Sequence, residues 1–106
     1  MKKIALVFPG QGSQYLGMFK DLHTIEDKRL LDIFNIASNI FNQDFLQISS
    51  NGSNEKLSST YIAQPIIFLH SILIDRILKL NNLNVCAVAG HSLGEYTALV
   101  SSGVIS

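Results

Sequence analysis

The pentapeptide Gly90-His91-Ser92-Leu93-Gly94 has the form G-x-S-x-G. The chemistry it suits is attack by a serine hydroxyl on an acyl group, with a covalent ester as intermediate. A strand that turns sharply into a helix would hold Ser92 at the strand's end, and Gly90 and Gly94 would let the backbone pass closely on either side. The hydroxyl would then project at the positive end of the helix, where the backbone N–H of Leu93 could donate to a tetrahedral oxyanion. Ser92 and Glu95 also spell S-x-x-E, the capping-box pattern of an ordinary helix start. That reading accounts for both side chains but gives the flanking glycines no task, and the two readings are compatible. Glu95 reads as a first-turn carboxylate favoured by the helix dipole rather than as a catalytic acid.

A second piece of chemistry lies in Pro9-Gly10-Gln11-Gly12-Ser13-Gln14. Gly10, Gln11 and Gly12 directly follow an apolar run, where a loop can present a backbone N–H as the second oxyanion donor. Two competing uses of such glycines fail. A dinucleotide fingerprint needs a third glycine where Tyr15 stands, and a phosphate-cradling Walker loop needs a lysine that does not follow.

The remaining chemistry-bearing residues read as structural. His91 adjoins Ser92, but neighbouring strand-end residues point in different directions; its expected task is to fix the turn by hydrogen bonding. His70 falls among Ala63, Ile66, Ile74 and Ile77, as a satisfied core histidine. His23 lies in a polar connection and is expected to be solvated. His91 and Glu95, four residues apart, could suggest a metal pair, but no third ligand is visible. Cys86, the single cysteine, reads as a small core residue inside a strand.

These residues need a scaffold, and the sequence supplies one. Lys3 to Phe8 and Val85 to Ala89 are short apolar runs without polar alternation, which suits strands buried on both faces of a parallel sheet. Between them, Leu16 to Leu22 is compatible with a short helix, and Thr24 and Asp27 form a weak N-terminal capping pair. Leu30, Ile33, Phe34, Ala37, Ile40 and Phe41 recur at three and four residues and predict an amphipathic helix with a core-facing stripe. Ser49 to Asn54 reads as a polar surface loop. A second long helix runs from about Tyr61 or Pro65 to Leu80, with Gln64, Ser71, Asp75, Lys79 and Asn82 on its narrow polar side; such a helix belongs in a core. The last helix spans Leu93 to about Ser102 and stops at Gly103. Its small residues Gly94, Thr97, Ala98, Ser101 and Ser102 suit close packing on the sheet. Ser106 is placed to cap a further helix. Two strands make too small a sheet to stand alone, so the chain reads as the N-terminal part of a larger α/β domain.

Composition bounds the partners. The 106 residues are 47% hydrophobic and 15% charged, which excludes a disordered tail. Eight basic and eight acidic side chains cancel, so nothing advertises nucleic acid or an anionic membrane. One cysteine excludes an internal disulfide and a multi-cysteine zinc site. The central apolar stretch is broken by His70, Ser71, Asp75 and Arg76, which reads as too short for a membrane span of roughly 20 residues. The run Ile4 to Phe8 is too short for a secretion signal. A cytoplasmic globular segment is expected.

Two segments taken together carry a resemblance: FPGQGSQ at Phe8 to Gln14, and AGHSLGEYTALVSSGVIS at Ala89 to Ser106. With the pair Gln64-Pro65, they make the chain similar to the N-terminal portion of malonyl-CoA:acyl carrier protein transacylases. The resemblance implies that residues 1–106 are the N-terminal part of an α/β-hydrolase-like large subdomain, cut short after the elbow helix and lacking the family's ferredoxin-like small subdomain. It implies Ser92 as the acyl-accepting nucleophile and the backbone of Gln11 and Leu93 as the oxyanion hole. Gly10, Gly12, Gly90, His91 and Gly94 would support the elbow and loop. No bound cofactor is implied; a coenzyme A thioester, malonyl-CoA, is the substrate and acyl carrier protein the partner, in fatty acid biosynthesis. Leu93 at the variable position resembles malonyl-selective members and would form one wall of the acyl pocket. The family's general-base histidine and its carboxylate-pairing arginine lie downstream of the elbow, so the chain alone is expected to turn over little. Alternatives are a polyketide synthase acyltransferase or a related serine hydrolase, a non-catalytic fragment keeping the scaffold and, more distantly, a nucleotide-binding module.

Overall fold

The computed structural model describes residues 3–20 and 28–104. The two apolar runs form strands β1 (Ile4–Phe8) and β2 (Val85–Gly90), paired in parallel. After a register shift between Ile4 and Ala5 the ladder runs Ala5 opposite Ala87 through to Phe8 opposite Gly90. Both strands therefore end level. The loop after β1 and the turn after β2 start side by side at the carboxyl edge of the sheet, where open α/β sheets place their ligands.

Between the strands run α1 (Lys28–Phe41), α2 (Phe45–Asn51), α3 (Asn54–Leu57) and α4 (Thr60–Leu80), and α5 (Gly94–Ser101) follows β2. The stretch expected to be a polar loop is largely helical. Asp44 accepts from the Gln47 N–H at 3.1 Å and starts α2; Ser53 accepts from the Lys56 N–H at 3.1 Å and starts α3. Each side chain satisfies an orphan donor of a first turn, which lets these short helices close. The expected helix at Leu16–Leu22 is instead, over its described part, a pair of tight turns. Met18 N–H meets the Tyr15 carbonyl at 3.2 Å and Lys20 N–H the Gly17 carbonyl at 2.9 Å. The predicted cap at Thr24 and Asp27, His23 and Ser106 lie outside the described residues.

The core is helical. Met18 and Phe19 pack with Phe45, Ile48 and Leu57 against one side of α4, at Ile62, Ile66, Leu69 and Leu73. Pro65 sits inside the second turn of α4 without ending it, so the helix starts at Thr60 rather than at the proline. At 21 residues α4 is long and apolar enough, by length and composition, to cross a membrane, which the interrupted apolar run had not suggested. Half of that stretch is buried inside the fold. That half packs against the protein's own side chains.

Two expectations of burial need correction. The α1 stripe is covered on one flank only: Ile33, Phe34 and Ala37 pack on the core, whereas Ile40 is 71% exposed. The strands are covered on one face, by α5. Among the described residues nothing covers the other, where Ala5, Ala89 and Val7 are exposed, Val7 by 75%. Unbroken apolar strands suit two-sided cover, and here one side is open.

Candidate active site

The turn after β2 is built by exclusion of side chains. A Cβ on Gly90 would fall on the Gly94 carbonyl and the Glu95 amide, and one on Gly94 would fall on the Phe8 carbonyl and 3.0 Å from that of Pro9. Both positions therefore require glycine for the crossing of backbones. The residue between them is in an uncommon conformation: Ser92 has φ +55°. A non-glycine residue held there stores on the order of 1–3 kcal/mol, and such strain clusters at functional sites. Three hydrogen bonds hold the turn: His91 N–H to the Phe8 carbonyl at 3.1 Å, Gly94 N–H to the His91 carbonyl at 3.0 Å, and Glu95 N–H to the Ser92 carbonyl at 3.0 Å. It is the backbone of His91, rather than its exposed ring, that makes the first two of these bonds.

The capping-box alternative is not realised. Leu93, already helical at φ −53° and ψ −34°, occupies the N-cap position of α5, and no side chain caps that end. Ser92 is left exposed at the helix start. The other end of α5 does close as expected. Gly103, at φ +85°, sends its N–H to Val100 and the next residue, Val104, sends its N–H to Leu99, the paired bonds of a Schellman stop.

The β1 loop packs directly on this turn. A Cβ on Gly10 would lie 2.7 Å from the His91 carbonyl oxygen and 3.3 Å from Ser92 Cβ, so only a glycine lets the loop approach. Beyond Gly10 several of the loop's polar groups have partners. Ser13 Oγ donates to the Gly10 carbonyl at 2.9 Å, and Gly12 N–H, on a residue at φ +108°, donates to Gln14 Oε1 at 2.8 Å. The Gln11 side chain reaches across to α4, where its Nε2 donates to Thr60 Oγ1 at 3.0 Å. Among the described hydrogen bonds, the backbone N–H groups of Gln11 and Leu93 have no acceptor. They belong to the residues that follow Gly10 and Ser92, the two positions in contact.

No described side chain is hydrogen-bonded to Ser92 Oγ, so the structure places no base on it. Glu95 and His91 are exposed. His70 is engaged elsewhere: its Nε2 lies 2.9 Å from the Met18 carbonyl, to which it must donate, and its ring packs edge-on against Phe19. Burial holds its pKa below the ordinary histidine value, and the Met18 bond partly offsets this. Cys86 is exposed rather than a core residue, its thiol 3.4 Å from the Ile4 carbonyl. Among the described residues no cluster of three metal-ligating side chains occurs.

Sequence reasoning missed three contributors. Gln14 and Thr60 hold the loop, and only the polar character of both hints at it. The third is Asp75, which is fully buried and receives the Ser101 hydroxyl at 2.6 Å. Lys79 lies 3.0 Å from its other carboxylate oxygen and also donates to the Ser101 carbonyl. This knot fixes the C-terminal end of the elbow helix to α4, and the polar strip containing Asp75 and Lys79 was its visible signal. An apolar groove of about 590 Å³ runs between α1 and α4, with Ile36, Ile40, Pro65 and Phe68 among its walls and Leu93 at its margin. Gln64 is its polar lining residue, and among the described residues no charged side chain lines it.

A family model described as the acyl transferase domain matches residues 5–106. A malonyl CoA-acyl carrier protein transacylase of Haemophilus influenzae is 43% identical over 107 residues, covering 99% of this chain and 34% of the relative. The Bacillus subtilis protein of the same name is 41% identical, covering 100% and 33%. Among solved structures, a malonyl-transacylase in complex with its type II PKS acyl-carrier protein superposes with a TM-score of 0.88 at 40% identity, over 99% of this chain and 34% of that one. The malonyl-CoA:ACP transacylase of Synechocystis sp. PCC 6803 gives 0.89 at 34% identity, over 100% and 35%. The chain thus spans about a third of the length of the relatives it matches. By the match across nearly its whole length, it belongs to the acyl transferase domain family.

Proposed function

We propose that the chain carries the nucleophile and oxyanion donors of an acyltransferase that moves a malonyl group from coenzyme A to an acyl carrier protein. In the first step Ser92 Oγ bonds to the thioester carbonyl carbon. The resulting oxyanion accepts from the N–H groups of Gln11 and Leu93, the C–S bond breaks, and coenzyme A leaves as its thiol with the serine's proton. In the second step the carrier's phosphopantetheine thiol attacks the ester and returns a proton to Ser92. Both steps develop charge on the same oxygen, so one pair of donors serves both. Gly10, Gly12, Gly90, His91 and Gly94 shape the loop and elbow. The groove beside Leu93 offers apolar walls and no cation for the malonyl carboxylate. The reading therefore assigns that counter-charge, like the base, to the part of the family's length that this chain does not span.

The observation that carries the reading is Ser92 at φ +55° between two side-chain-intolerant glycines, with Gly10 packed against it. The family match and the printed activities of the relatives support the substrate and carrier. We place residues 1–106 in a hydrolase-like subdomain that needs further elements over its open sheet face. We place the reaction in the cytoplasm, in fatty acid synthesis, with no cofactor beyond the thioester. The solved complex with a type II PKS carrier favours, as a second reading, delivery to a polyketide carrier.

Intact mass after incubation with malonyl-CoA tests the proposal. The expected result is a malonyl adduct on the parent chain and none on Ser92→Ala. An adduct that persists in the variant would overturn the assignment of the nucleophile, and a folded parent that gains no adduct even when joined to the downstream part of the family's length would overturn the reading.

A further inference from the structure

We infer that Thr60 is a positioning residue for the oxyanion loop, acting through the side chain of Gln11; this rests on the functional reading above. The loop contains two N–H groups that could face an oxyanion, those of Gln11 and Gly12. Gln14 Oε1 occupies the Gly12 N–H at 2.8 Å and removes it from service. What remains is the Gln11 N–H, on a residue that is itself exposed and flanked by two glycines, one at φ +108°. A peptide between glycines has little conformational preference of its own. Its orientation must come from a tether, and the described tether is the 3.0 Å bond from Gln11 Nε2 to Thr60 Oγ1. Thr60 is the first residue of α4, the helix on which the core is assembled. A hydroxyl on the most anchored element thus sets the rotation of the most permissive peptide at the site. Catalysis by preorganised donors depends on such placement, since misplacement by about 1 Å can cost on the order of 100-fold.

The test follows the rate of Ser92 acylation by malonyl-CoA, by intact mass, in these residues joined to the downstream part of a family member, over a range of thioester concentrations. Thr60→Val keeps the shape and removes the acceptor. It is expected to slow the saturating acylation rate about tenfold while leaving the half-saturating concentration and the thermal midpoint unchanged. Thr60→Ser, which keeps the hydroxyl, is expected to restore the rate to within about twofold. Gln11→Ala removes the other end of the tether but keeps the N–H, so the double variant should be no slower than either single one. A Thr60→Val chain as fast as the parent overturns the inference alone. So does a Thr60→Ser chain as slow as the valine variant, or additive losses in the double variant, because each assigns the effect to the helix start rather than to Gln11. A parent chain with no adduct overturns the functional reading, and the role of Thr60 falls with it.

Discussion

Ser92 is held at φ +55° by its surroundings, not by its own preference. Replacing it with glycine removes the strain and the hydroxyl together. Ser92→Gly is expected to stabilise the fold by about 1 kcal/mol while abolishing acylation. Ser92→Ala, with its Cβ retained, should lose acylation and keep the parent's midpoint; thermal melts beside intact mass separate the two. The flanking glycines behave oppositely. Gly94→Ala drives a methyl into the Phe8 carbonyl, and about 3 kcal/mol or more of stability should be lost, read as a fall in denaturant midpoint. This part of the site was legible in sequence, because G-x-S-x-G constrains backbone as well as chemistry. The Thr60–Gln11 bond was not, since 49 positions separate the partners and no local pattern connects them.

At the scale of elements, α4 is tied to its neighbours by two further polar contacts of different character. His70 donates from α4 to the Met18 carbonyl, and its pKa in the fold lies below the ordinary value of 6.5. Between that lowered value and 6.5 the unfolded chain binds more protons than the folded one. Stability contributed by neutral His70 is therefore full above 6.5 and falls as pH drops through the window, levelling below the folded pKa. Thermal midpoints recorded from pH 7.5 downward should show this slope in the parent and a flatter one in His70→Gln. The second contact is the knot of Asp75, Ser101 and Lys79. Asp75→Ala orphans the Ser101 hydroxyl, but Lys79 is partly exposed and can turn to water. The expected cost is about 2 kcal/mol, measurable by urea unfolding. Strands β1 and β2, helix α5 and its glycine stop were readable because each is a local pattern. Helices α2 and α3 were not: Ser49, Ser50, Asn51 and Ser53 look like a loop, and capping by Asp44 and Ser53 together with burial of Phe45, Ile48 and Leu57 makes them helical. Burial of the strands and of Ile40 was overestimated for another reason: apolar character says that a face wants cover, not that cover is present.

For the whole molecule, that open surface has a measurable result. With Val7 75% and Ile40 71% exposed, and a two-stranded sheet carrying unpaired edges, the chain at tens of micromolar is expected to self-associate and to bind a hydrophobic dye. A sharp monomer in sedimentation that binds no such dye would count against an exposed apolar surface of this extent. Two of the tethers of α4 carry one more implication. Thr60 holds the loop after β1 and Asp75 holds α5, fifteen positions apart on a single helix. A helix advances about 100° per residue, so the angle between the two grips is set by the number of residues between them. Inserting or deleting a single residue there would leave a perfectly good helix and still put the grips out of phase, so that one must release. The connectors outside α4 can vary in length, whereas the span from Thr60 to Asp75 works as a gear of fixed tooth count.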